Sequence, residues 1–158
     1  EHVLKEINER LNFLLNVGPD GTGKIPAESV KNLREVGKWL SVNGAAIYGS
    51  KPWEVAKEGP SKIEIKGTSH RRDSAISFNF EPNDFWFTRV EDRIYVIALA
   101  KPDLGIVKIK SLAKTKIQEI KRLEDDLIIQ WERHDDGVEI SLPDLTSSLD
   151  GYVLEVRV

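Results

Sequence analysis

The stretch Asn12-Phe13-Leu14-Leu15-Asn16-Val17-Gly18-Pro19-Asp20-Gly21-Thr22-Gly23-Lys24-Ile25-Pro26 runs an apolar segment into a glycine-studded loop and then into a helix start. Phe13 to Val17 is apolar except at Asn16. A strand wetted on one face alternates apolar with polar residues, whereas one covered on both faces reads as a continuous apolar run, as in parallel sheets and barrels. Gly18, Gly21 and Gly23 permit positive φ, and Pro19 fixes its own φ. Pro26 stands where the first helical residue is expected, since it lacks an N–H that the helix would not use. The order is strand, loop, helix, and the strand needs neighbours on both sides. The residues ahead of Phe13 are too few for another strand and a crossover. The rest of its sheet is therefore expected outside this sequence.

Outward from that unit, Val3, Leu4, Ile7 and Leu11 recur at helical spacing among charged residues, as at the end of an amphipathic helix. Downstream, Val30, Leu33, Val36 and Leu40 recur at three- and four-residue steps, Glu28 lies in the first turn, and Asn43-Gly44 supplies a stop. Helix, strand and helix make one and a half βα units of a parallel α/β structure. Gly49, Pro52, Gly59 and Pro60 then break the helical pattern, which places a boundary between units in Ala45 to Pro60. Beyond it the period becomes two, at Ile63 and Ile65, at Ile76, Phe78 and Phe80, at Phe85 and Phe87, and over Ile94 to Leu99. Short runs continue at Ile106 to Ile109, Ile117 to Leu123, Leu127 to Trp131, Val138 to Leu142 and Tyr152 to Val158. Turn residues such as Pro82-Asn83-Asp84 and Asp135-Asp136-Gly137 separate them, so the pattern predicts an antiparallel β-sandwich of about eight or nine strands. The expected division is 1–52 for the end of an α/β unit and 53–158 for the sandwich.

The net charge of −3 gives no basic field for nucleic acid, and the lysines are largely interleaved with acids. No apolar run reaches the roughly 18 to 20 residues of a membrane span, so a soluble chain is expected. With no cysteine there is no disulfide framework and no thiolate metal site. The compartment stays open, the cytoplasm being favoured. No methionine occurs anywhere, so the sequence is expected to be a fragment of a longer protein.

Near the opening loop the candidate carboxylates are Asp20, Glu28 and Glu35. Glu28 is accounted for by the positive end of a helix and Glu35 by a solvated helix face. Asp20 sits at a strand's carboxyl end, where α/β barrels place their chemistry, but Pro-Asp-Gly is also plain turn chemistry. Asn16 is an amide in an apolar strand and must be satisfied either within the fold or by a polar ligand; it is the one candidate substrate-binding residue. His2, His70 and His134 have no metal-ligand spacing. Gly18 to Lys24 lacks the spacing of a phosphate loop, and no Ser or Thr follows Lys24. Trp53, Trp86 and Trp131 could stack on sugar rings, although packing accounts for them as well. No metal or cofactor is expected.

Leu14-Leu15-Asn16-Val17-Gly18-Pro19-Asp20-Gly21-Thr22-Gly23-Lys24-Ile25-Pro26 and Gly37-Lys38-Trp39-Leu40-Ser41-Val42-Asn43-Gly44-Ala45-Ala46-Ile47-Tyr48-Gly49-Ser50 closely resemble, in sequence and spacing, the end of the catalytic barrel in α-L-fucosidases of glycoside hydrolase family 29. Phe87-Thr88, Ile109-Lys110-Ser111-Leu112 and Gly151-Tyr152-Val153-Leu154 are similar to that family's C-terminal β-sandwich. The resemblance implies an α+β fragment: the last strand and helix of a (β/α)8-like barrel followed by the sandwich. It also implies a retaining glycoside hydrolase with an aspartate nucleophile and a second carboxylate acting as acid and then base. In that family these groups and the fucose-gripping histidines lie on earlier strands, so no catalytic residue is expected on this chain, which alone is expected to be inactive. The expected partners are the upstream catalytic barrel and a fucosylated glycan substrate, with room for a homo-oligomer and none for nucleic acid or membrane. The alternative is a carbohydrate-binding or purely structural sandwich trailing a leftover of its neighbour.

Overall fold

The computed structural model describes residues 15–61, 80–143, 145 and 151–158. Helix α1 (Ala27–Asn43) follows the opening loop, and a 3-10 turn (Gly44–Ala46) carries the chain on to eight strands. These are β1 (Lys51–Glu58), β2 (Phe85–Val90), β3 (Arg93–Ala98), β4 (Ile106–Ile109), β5 (Glu119–Arg122), β6 (Gln130–His134), β7 (Gly137–Ser141) and β8 (Tyr152–Arg157). A second 3-10 turn, Lys110–Leu112, follows β4. Among the described residues, every pairing is antiparallel, giving a five-stranded sheet in the order β1-β2-β3-β8-β5 and a three-stranded sheet in the order β4-β7-β6.

The sandwich expected from the period-two runs is present. Phe85, Phe87, Ile94, Val96, Leu154 and Val156 of the larger sheet meet Val107, Ile109, Val138 and Ile140 of the smaller in one buried core. The ring of Trp53 lies 5.1 Å from that of Phe87, tilted by 49°. Burying each such side chain stabilises the fold by roughly 1.5–3 kcal/mol. The runs at Ile63–Ile65 and Ile76–Phe78 lie outside the described residues.

Two local readings are corrected. The segment read as a boundary contains β1, with Trp53 and Val55 turned to the core. As an edge strand, β1 tolerates Pro52, whose missing donor would break an interior ladder. Phe13 and Leu14 lie outside the described residues, but Leu15 to Val17 form no strand and Leu15 is 56% exposed. The reason is the one that made the run conspicuous: a doubly covered parallel strand needs flanking strands, and among the described residues none is offered. Helix α1 stops at Asn43-Gly44 as the sequence predicts, with Gly44 at φ −59° rather than in a left-handed turn. A Cβ there would stand 2.7 Å from the exposed Tyr48 ring, which would have to move aside.

Asp84, fully buried at the entrance to β2, ties the strand ends together. Its carboxylate accepts the backbone N–H of Ser61 at 3.0 Å and of Glu81 at 2.8 Å, with Lys57 Nζ 4.0 Å away. Gly59, at φ +130°, passes so close that a Cβ would meet Asp84 Oδ1 at 2.4 Å. Burial pushes this carboxyl up, yet the hydrogen bonds from Ser61 and Glu81 and the charge of Lys57 outweigh it, and its pKa falls below the ordinary value. Asp84→Asn is expected to lower stability at neutral pH by about 2 kcal/mol, the worth of hydrogen bonds to a buried charge. A depressed folded-state pKa stabilises fully above the ordinary carboxylate pKa of about 4 and loses that contribution as pH falls through the depressed value. Urea midpoints measured from pH 7 to pH 2 should therefore show an acid-side loss in the parent that is blunted in Asp84→Asn.

Candidate functional site

The opening loop is ordered by one carboxylate. Asp20 Oδ1 accepts the N–H of Thr22 at 2.8 Å, the hydroxyl of Thr22 at 2.6 Å and the N–H of Lys24 at 3.0 Å. Backbone bonds from Gly23 N–H to the Asp20 carbonyl and from Asp20 N–H to the Lys24 carbonyl close the turn. The Thr22 hydroxyl, followed by the N–H groups of Lys24 and Thr22, holds the Asp20 carboxyl below its usual pKa. Asp20 thus acts as a turn residue, and a carboxylate committed to three donors is poorly placed for general-base work. Asn16 lies exposed beside exposed Leu15. Glu28 sits in the first turn of α1, and Glu35 pairs with Lys31 at 3.9 Å on the solvated helix face.

After the loop, α1 leaves its apolar stripe largely uncovered. Leu33 is 39% and Val36 53% exposed, Val30 and Leu40 are half-buried, and Asn43 is the one buried residue of the helix. A helix with a continuous apolar stripe ordinarily buries it. Here only the last turns are held, through Trp39 and the 3-10 turn, which pack on the face of the five-stranded sheet that looks away from the smaller sheet.

That outer face carries a second buried cluster, formed by Trp86, Tyr95, Ile97 and Val153 with Ala46 and joined by Trp39, Ile47, Phe80, Leu99 and Leu123. At its centre Thr88, fully buried on β2, donates its hydroxyl to the carbonyl of Ala46 at 2.7 Å. Helix ends leave carbonyls without intrahelical donors, and leaving one buried and unpaired costs about 1–3 kcal/mol. Beside the apolar patch, the Tyr95 hydroxyl donates to Glu155 Oε2 at 3.0 Å, with Arg93 Nη1 at 3.7 Å and Lys121 Nζ at 3.6 Å from the same carboxylate. Burial, followed by the Glu155 charge, pushes the Tyr95 phenol up.

The tryptophans serve packing. Trp53 and Trp86 are buried, and the half-buried Trp131 packs on the core with the Arg133 guanidinium 5.7 Å from its ring centre. Lys57 Nζ lies 5.0 Å over the Trp86 ring. His134 is half-buried, while His2 and His70 lie outside the described residues. Among the described residues no group of three or more His, Asp or Glu side chains is placed to hold a metal, and no helix is long and apolar enough to cross a membrane. Sequence reasoning missed Ala46, Thr88 and Glu155. The sequence signals only that this face is covered, for Ile94 to Leu99 is an unbroken apolar run, the mark of double covering already noted at Phe13 to Val17, and it does not single out these three residues.

Two family profiles match the chain: "Alpha-L-fucosidase" over residues 2–45 and "Alpha-L-fucosidase C-terminal domain" over residues 80–156. The tissue α-L-fucosidase of Mus musculus is 32% identical over 146 residues, covering 92% of this chain and 28% of the mouse protein. That of Homo sapiens is 35% identical over 138 residues, covering 87% of this chain and 25% of the human protein. The crystal structure of the Thermotoga maritima α-fucosidase in complex with fucose superposes with a TM-score of 0.73 at 27% identity, covering 97% of this chain and 32% of that one. The chain thus spans about a quarter of the length of these curated relatives.

Asp20→Ala is expected to leave the sandwich intact and to release the loop. The amide resonances of Thr22 and Lys24 should move to random-coil positions, while those of β3 and β8 stay in place. In the parent, the loop's order should persist below the ordinary carboxylate pKa and disappear as pH falls through the depressed value of Asp20.

Proposed function

Since the chain belongs to the α-L-fucosidase family as the C-terminal portion of its members, we propose that it completes and buttresses the catalytic barrel of a retaining α-L-fucosidase acting on terminal α-L-fucosyl residues of glycoconjugates. The observation that carries this reading is the half-covered state of α1: its end is fixed on a sandwich sheet, while Leu33 and Val36 are open to a neighbour. A barrel helix removed from its neighbouring barrel elements would present such a stripe. On this reading residues 1–52 belong to the barrel and 53–158 to the sandwich, with the first residues of β1 at the border.

In the retaining reaction two carboxyl groups about 5–5.5 Å apart flank the glycosidic bond, one attacking the anomeric carbon and the other protonating the departing oxygen and then activating water. We assign both to the upstream barrel, together with the residues that grip fucose. Asp20, the acid of this chain at the loop following the barrel strand, is occupied in ordering that loop. This chain's contribution is to place the segment containing Asn16, which takes up strand geometry only against the upstream barrel, and the loop after it, at the rim of the site. Asn16 either bonds across the junction or faces the sugar. The partners are the upstream barrel and a fucosylated glycan, in a soluble, cytoplasmic assembly that can be homo-oligomeric.

A carbohydrate-binding sandwich is the competing reading, and the burial of Trp53 and Trp86 weighs against it. The chain alone is expected to be inactive on a chromogenic α-L-fucoside, and addition of a polypeptide carrying the upstream barrel is expected to give activity. Full activity of the purified chain alone would contradict the assignment of catalytic groups upstream. Saturable binding of fucose or fucosylated oligosaccharide by this chain in isothermal titration would favour the competing reading.

A further inference from the structure

The helix α1 is anchored at one end, and the anchor has a single hydrogen bond at its centre. The N–H groups of Ile47 and Tyr48 both bond to the Gly44 carbonyl, which closes the 3-10 turn. The Ala46 carbonyl points instead to the Thr88 hydroxyl 2.7 Å away, where both residues are fully buried. Trp86, Tyr95, Ile97 and Val153 pack with Ala46 in one buried cluster, while the Tyr48 ring beside Gly44 is exposed. Position and direction of the helix end are thereby set by β2 of the sandwich.

From this junction, and resting on the fucosidase reading, we propose that Thr88 is a positioning residue for fucoside hydrolysis: its hydroxyl fixes the end of α1 and, through the helix, the seating of the Asp20 loop at the barrel rim. With 17 residues and a rise of about 1.5 Å each, α1 is a lever roughly 25 Å long. A tilt of about 2° at the anchored end moves the far end by about 0.9 Å over such a length. The loop itself carries no reacting group, but a misplacement near 1 Å transmitted from it to the reacting groups of the upstream barrel costs as much as about a hundredfold in rate. The barrel neighbour supports the apolar stripe of the helix, whereas the hydroxyl fixes its end, so the two supports constrain different degrees of freedom. A hydroxyl suits the task where a methyl does not, because only it satisfies the buried carbonyl while filling the same volume.

The test compares Thr88→Val, which keeps the shape, with Thr88→Ser, which keeps the hydroxyl, in the full α-L-fucosidase assembled from this chain and the upstream barrel. With a chromogenic α-L-fucoside, Thr88→Val is expected to lower kcat about fivefold or more per folded enzyme with KM nearly unchanged, and Thr88→Ser to recover most of the loss. Wild-type kcat in Thr88→Val, or equal losses in the two variants, would overturn the proposal, as would a lowered melting temperature with kcat intact. Hydrogen exchange on this chain by itself gives a second reading. Exchange at Ile47 and Tyr48 should quicken in Thr88→Val and not in Thr88→Ser, and no change there overturns the latch whatever the enzyme does. If exchange quickens as expected but the assembled wild type shows no fucosidase activity, the functional reading fails and the role in hydrolysis falls with it.

Discussion

The five-stranded sheet must be covered on both faces. Ile94, Val96 and Ala98 of β3 point into the sandwich core while Tyr95 and Ile97 point away from it, and all five are buried. On β8, Leu154 and Val156 face the core and Val153 the other side. Antiparallel sheets commonly leave one face to water. This one cannot, because an exposed outer face would put Trp86, Ile97 and Val153 in solvent, each at a cost of roughly 1.5–3 kcal/mol. The smaller sheet covers one side; the end of α1 and its 3-10 turn contribute to covering the other. The sandwich is therefore built to hold something on its outer face.

This arrangement explains the asymmetry of the helix. Its C-terminal end shares a buried cluster with the sheet, and its middle shows Leu33 and Val36 to solvent. Exposed apolar patches of this kind mark contact surfaces. Leu15, beyond the loop, is exposed in the same way. Against a net stability of about 5–15 kcal/mol for a typical domain, covering three such residues would be a large contribution.

Much of the architecture was legible in the sequence. The apolar runs from Phe85 onward located β2 to β5, β7 and β8, because the turns are marked by Pro, Asn, Asp and Gly, while the run Leu127 to Trp131 meets β6 only at Gln130 and Trp131. Helix α1 was legible from Val30, Leu33, Val36 and Leu40. The strand β1 was hidden by Pro52, Gly59 and Pro60, whose meaning changes on a sheet edge. Gly44 was legible as a helix stop, whereas its approach to the ring of Tyr48 is invisible until the chain is folded. Asp20 was legible as a turn residue from Pro-Asp-Gly. Thr88 was not, since a lone threonine in a strand carries no pattern, and the carbonyl it satisfies lies 42 residues away. Tertiary polar contacts of that kind leave no periodicity behind.

Hydrogen exchange on the chain alone and in complex with the upstream barrel measures the dependence of the opening segment most directly. The account predicts rapid exchange at Leu15, Val17 and the amides from Asn32 to Val36 in the monomer, beside slow exchange in β3 and β8. In the complex those same amides should slow by about a hundredfold or more, as expected when a frayed segment joins a packed core. Equal and strong protection at Leu15, Val17 and Leu33 in a demonstrated monomer would contradict it, because the segment would then be complete without its barrel.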